Sequence, residues 1–164
     1  MRRINRSRVA AVVGLAVAQF AAGAVAGRPS DPEFYRGLRQ APFAPPAWVF
    51  APAWAIAKTG AAVSVARVLG NRDMEGRRTF LALAAADAGI YVTFSYVYFR
   101  KKSPLLAAVW TCANAAVTAG ELIVVSRADR VAALGLAPQA AWLSLATPVA
   151  LYQAAANPGP VIRA

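Results

Sequence analysis

The chain contains no histidine and one cysteine, Cys112. The first absence excludes histidine general bases, histidine-bearing zinc sites and haem iron held by an imidazole. The second excludes an intrachain disulfide and leaves the redox compartment open. Charge is scarce as well: 15% of the 164 residues are charged, against about 25% in soluble domains. Acidic residues number seven against eighteen basic ones, a net charge of +11. No nucleophile–base pair, phosphate-cradling loop or metal-ligand cluster stands out, which argues against conventional hydrolysis and phosphoryl transfer and leaves no metal or required cofactor implied.

Apolar residues are abundant. They make up 59% of the chain, and the mean hydropathy is +0.45. A body of this size has too much surface to hide that much apolar area from water. The expected partner is the lipid bilayer. The basic residues agree, because they stand in short clusters between apolar runs: Arg2, Arg3, Arg6 and Arg8, then Arg72, Arg77 and Arg78, then Arg100, Lys101 and Lys102. Cations placed so meet anionic head groups, and nucleic-acid binding is not expected.

Five apolar segments, at residues 9–26, 47–69, 79–99, 104–125 and 131–156, each have the length a helix needs to cross about 30 Å of hydrocarbon. Helices satisfy their own backbone in lipid, and no period-two alternation suggests a barrel. The expected fold is an all-α, multi-pass bundle of five transmembrane helices forming one domain over residues 1–164. Three connections are short: "GNRDMEG", "RKKS" and "SRAD". Loop one, residues 27–46, is long and rich in proline and aromatics. The first segment also admits a signal-peptide reading, with Ala24 and Ala26 at a small-residue cleavage site. Ten Lys and Arg residues fall on the N-terminal side of the bundle and seven on the other, so the N-terminus is expected to be cytoplasmic. The preference for Arg over Lys and the abundance of Ala suggest a bacterial source with a GC-rich genome, hence a plasma membrane.

The stretch "FYRGLRQAPFAPPAWVFAPAW", Phe34 to Trp54, carries a denser signal. It resembles the signature of the TspO/MBR family, the tryptophan-rich sensory proteins and the translocator protein (peripheral benzodiazepine receptor). That pattern runs W-Y-x-x-L-x-x-P-x-x-x-P-P-x-W-x-F-x-x-x-W. Tyr35, Leu38, Pro45, Pro46, Trp48, Phe50 and Trp54 match its spacing. Phe34 replaces the first Trp, and the family Pro falls on Ala41. Further on, "TFSYVYFRKK" is similar to the family's aromatic stretch and basic turn, and Pro138, Trp142 and Asn157 fit its last span. The polar lining departs from the pattern. Lys58 replaces a Tyr, Asp87 a Gln, Tyr91 an Asn, Phe94 a Trp and Ala150 an Asn.

The resemblance implies a binding, transport or sensory protein for a hydrophobic ligand, tetrapyrrole-like or sterol-like, held in the bundle under loop one. It also implies an alternative, an enzyme promoting light-dependent porphyrin breakdown through Trp54 and Trp142. A small membrane scaffold or carrier of another type is the third reading. The expected ligand-binding residues are Tyr35, Arg39, Pro45, Pro46, Trp48, Phe50, Trp54, Lys58, Asp87, Tyr91, Phe94 and Trp142. Aromatic faces suit a flat ligand, Arg36 and Arg39 its carboxylates, and loop-one prolines lower the cost of ordering a lid. Several aromatics also have a plainer role: Trp48 in an interfacial belt, Tyr91 and Phe94 in helix packing, and Trp110, outside that set, in packing or facing lipid. Lys58 and Asp87 are sharper. A charge inside a span costs about 2.5–3.5 kcal/mol, so both are expected to face the bundle interior and either pair or flank a polar ligand group. Glu121 is read as lying near a helix end, within reach of Arg127 or water. Cys112, Ala116 and Gly120 form a small-residue stripe that suits either a neighbouring helix or a homodimer partner.

Overall fold

The computed structural model describes residues 32–159, together with Ala10, Gly14, Val17, Ala18 and Ala21, which are helical. The rest of the predicted first span, and the candidate cleavage site at Ala24 and Ala26, lie outside the described residues. Those described form no strand. A short helix, α1 (Pro32–Gly37), lies in loop one. Four long helices follow: α2 (Ala47–Gly70), α3 (Arg77–Ser95), α4 (Pro104–Ala128) and α5 (Arg130–Ala156). α3 continues directly into a π-helical turn, Tyr96–Arg100. Each of the four is long and apolar enough to cross a membrane.

The helix ends have local causes. Ser103 caps α4, its hydroxyl accepting from the Leu106 N–H at 3.2 Å, and Pro104 follows at a position that needs no donor. "SRAD" is not a four-residue loop. Ser126, Arg127 and Ala128 complete α4, and Asp129 alone joins it to α5. Asp129 Oδ1 accepts from the N–H groups of Val131 (2.9 Å) and Ala132 (3.0 Å), and Arg67 at the end of α2 grips the same carboxylate, with Nε 3.0 Å and Nη2 2.9 Å from Oδ2. Partial burial works to raise the pKa of Asp129, but the Arg67 and backbone hydrogen bonds outweigh it and hold the group below the usual carboxylate range. Pro52 lies inside α2, and Pro138 and Pro148 inside α5, as membrane helices tolerate where neighbours cover the freed carbonyls.

The bundle is tight at the end nearest loops two and four. There α2 and α5 meet backbone to backbone. A Cβ on Gly60 would collide with the Gly135 carbonyl, and one on Gly135 with Ser64 Oγ. Ser64 crosses this seam and donates to Ala132 O at 2.7 Å. Beside it Val68, Phe80, Val125, Ala132 and Leu136 form a fully buried apolar core. Gly120 packs on Leu83 of α3, so that member of the small-residue stripe is used within the chain.

Replacing Gly135 with Val should overpack the seam and destabilise the protein by about 1–3 kcal/mol, read as a lower unfolding temperature in detergent. Asp129→Ala should cost about 1–2 kcal/mol through the lost cap. Because the folded pKa of Asp129 is depressed, its contribution is present above the unfolded value of about 3.9 and fades as pH falls through the folded one. The wild-type advantage over Asp129→Ala in thermal melts should therefore shrink below about pH 4.

Candidate functional site

At the opposite end the four long helices diverge around a cavity of about 510 Å³. α2 contributes Phe50 and Trp54; α3 and its π turn contribute Tyr91, Phe94, Tyr98 and Phe99. α4 adds Trp110, Thr111 and Asn114, and α5 adds Val149 and Gln153. The volume lies within the range of small-molecule pockets, and the wall is largely aromatic with a few polar groups. The π turn matters locally. Its wider winding lets both Tyr98 and Phe99 reach the cavity, their rings edge to face at 4.8 Å.

Loop one is fastened across one side of this cavity. Phe34 and Tyr35 stand edge-on to Tyr98, at 5.9 and 6.4 Å, and Leu38 is buried with them. Polar bonds fix the same segment to the end of α5. The Arg39 N–H donates to Asn157 Oδ1 at 2.8 Å, and Asn157 Nδ2 donates back to Arg39 O at 3.0 Å. Gln153 Nε2 donates to Gln40 Oε1 at 2.5 Å, while Tyr98 Oη donates to Gln153 Oε1 at 2.8 Å. Tyr35 reaches the cavity wall from beneath this latch, and its partial burial pushes its phenol pKa up.

Beneath the cavity lies a buried polar centre. Lys58 Nζ donates to Asp87 Oδ1 (2.9 Å) and Oδ2 (2.7 Å). Asn114 Nδ2 (3.1 Å) and Gln139 Nε2 (2.8 Å) donate to the same Oδ1, and Gln139 Nε2 also meets Thr118 Oγ1 at 2.8 Å. All four long helices thus converge on one carboxylate. The Lys58 ammonium also lies 4.8 Å from the Tyr91 ring centre and 5.5 Å from that of Trp54, within cation–π range. Trp54 and Tyr91 therefore have one side toward the cavity and an ammonium beside them.

Of the residues expected from sequence, Tyr35, Phe50, Trp54, Tyr91 and Phe94 line the cavity. Lys58 and Asp87 pair instead below its floor. Trp142 stands behind the wall, edge-on to Phe50 at 5.3 Å and to Trp54 at 6.2 Å. Trp48 is 75% exposed and lies off the cavity, as a belt residue would. Pro45, Pro46 and Arg39 do not line it either; Arg39 serves through its main chain. Trp110 is part of the wall, its Nε1 donating to Thr93 Oγ1 at 2.9 Å. Glu121 is not at a wet helix end: it is 2% exposed, about two turns inside α4. Asn114, Gln139 and Gln153 have no counterpart among the expected residues. Their only signal is that a polar side chain inside a span needs a partner.

A family model for the TspO/MBR family matches residues 9–154, most of the chain. The chain belongs to that family, and its four long apolar helices fit an integral membrane protein. No curated protein matches it significantly.

Lys58→Met should strand a buried carboxylate and destabilise the protein by about 3–5 kcal/mol, whereas Lys58→Met combined with Asp87→Leu should recover most of that loss. Thermal unfolding of both variants and the wild type in one detergent checks this.

Proposed function

We propose that this member of the TspO/MBR family binds a flat hydrophobic ligand, tetrapyrrole-like or sterol-like, in the aromatic cavity beneath loop one. Binding serves transport or sensing. The observation that carries the reading is the cavity itself: about 510 Å³, walled by Phe50, Trp54, Tyr91, Phe94 and Trp110, with a latched segment across it. Rings arranged edge and face around a slot offer stacking and large buried area to a plate-shaped molecule. Among the described residues no cationic side chain lines the cavity, so ligand carboxylates belong at its mouth, near the exposed Arg36 and Arg39. No metal ion is needed for such binding, and a metal-free porphyrin fits a wall without histidine.

The assembled protein is read as a five-span bundle in a bacterial plasma membrane, with residues 9–26 as the first span and the N-terminus cytoplasmic. A homodimer is compatible with the exposed Ala116 on α4. A second reading, light-dependent breakdown of porphyrin, is favoured by one contact. Trp54 meets the cavity and also touches Trp142, so an oxidised or excited indole beside the ligand has a second indole behind it.

Titration of the detergent-purified protein with protoporphyrin IX in the dark should quench tryptophan fluorescence saturably. Trp54→Phe should weaken binding by about fivefold to tenfold, and Trp48→Phe should leave it unchanged. Absence of saturable binding of both porphyrin and cholesterol would overturn the reading. Porphyrin loss on illumination that stops in Trp54→Phe and in Trp142→Phe would select the enzymatic one.

A further inference from the structure

The polar centre holds one more acid than its bonds account for. Lys58 is committed to Asp87 by two hydrogen bonds, and that pair is neutral. Glu121 is 2% exposed, forms no hydrogen bond or ion pair among the described residues, and its Oε2 is fully enclosed without a donor. The charges that act on it are Lys58 from α2 and Asp87 from α3; α5 faces the centre with the neutral Gln139. Two further enclosed oxygens in the centre, Asn114 Oδ1 and Gln139 Oε1, also lack donors. Gln139 Nε2 spends both of its N–H groups, on Asp87 and on Thr118, and Asn114 Nδ2 is held by its bond to Asp87; neither donates to Glu121. An ionised Glu121 would be an unpaired buried charge beside a second carboxylate, which is among the costliest arrangements a protein interior can hold. The cluster balances only with one added positive charge.

We propose that this charge is a proton carried by Glu121, and that the Lys58–Asp87–Glu121 centre is a proton-binding site linked to the cavity. Binding converts the carboxylate to the acid, and the proton comes from water on the side of loops two and four, the helix end nearer Glu121. The link runs through Lys58. When Glu121 loses its proton, Lys58 is the cation among the described residues that acts on it. Lys58 is drawn away from Asp87 and from the rings of Trp54 and Tyr91, which lie 5.5 and 4.8 Å from its nitrogen and form cavity wall. Loss of the ammonium loosens the wall, and Asp87, released by Lys58, moves with Asn114, which it still holds at the floor. By reciprocity, a ligand that needs the ordered wall raises the affinity for the proton. The proton site stands on the polar centre alone; its effect on ligand rests on the function proposed above.

Two measurements on the full chain in lipid separate these statements. Infrared spectra at neutral pH, in H2O and D2O, should show a carboxylic-acid carbonyl band that disappears in Glu121→Gln; no band lost on that substitution overturns the proton site. The probe for coupling is protoporphyrin IX dimethyl ester, which carries no titrating carboxyl. As pH is raised, its affinity for the wild type should fall about tenfold. Glu121→Gln and Glu121→Met should keep the acid-side affinity throughout. A wild-type profile that persists in both variants overturns the coupling. Affinity that responds to sodium at fixed pH in the wild type but not in Glu121→Gln assigns the charge to a metal cation and overturns the proton. If the ester binds to no form of the protein, the ligand reading and the coupling fall together, and the infrared band still decides the proton site.

Discussion

One carboxylate organises the membrane-embedded part of this protein. Asp87 is nearly water-free and ionic, and in that setting a carboxylate survives only if its lone pairs are filled. Lys58, Asn114 and Gln139 fill them from three other helices. Lipid supplies no hydrophobic force between helices, so a polar hub with one correct geometry is a means of fixing how four of them meet. The geometry above and below the hub differs. Toward loops two and four the helices close on glycine and serine, and the interior is solid. Toward loop one they part, and large rings stand around a cavity they do not fill.

The two ends are secured by different chemistry. At the closed end Asp129 is shared: it terminates α4, starts α5 and holds Arg67 of α2. With one residue between them, α4 and α5 have little freedom to slide or splay there. At the open end α5 carries the latch residues Gln153 and Asn157, which hold loop one. α5 thus connects the rigid seam at Gly135 with the closure at Asn157, and passes through the hub at Gln139 on the way.

Much of this was legible in the chain, and the rest was hidden for identifiable reasons. Apolar length located α2 to α5 within a few residues, because crossing hydrocarbon is a demand on length and composition alone. The cost of a charge in a span was enough to expect that Lys58 and Asp87 face inward. It gave no hint that Asn114 and Gln139 join them, since neutral amides barely interrupt an apolar run. Glu121 was misplaced because its sequence distance to Arg127 suggested a wet helix end, while the neighbouring helices bury it. The fastening of loop one was invisible: Gln40 and Gln153 are 113 residues apart, and no periodicity links them. Asp129 looked like the end of a loop because Ser-Arg-Ala reads as loop composition, yet three such residues simply complete a helix whose next residue is its cap. The short α1 in loop one carried no apolar period of its own.

The latch across the cavity consists of amides, a phenol and main-chain groups; Arg39 enters it only through its backbone. Ionic strength acts on separated charges, and this closure has none to screen. Nor does it contain a group that titrates near neutrality. Its strength depends instead on local water activity, because each amide bond there competes with hydration at the membrane surface. Dehydration of that surface tightens the closure, whereas wetting weakens every one of its bonds. The bonds that fasten loop one to α5 thus respond to the hydration of that surface rather than to its salt content.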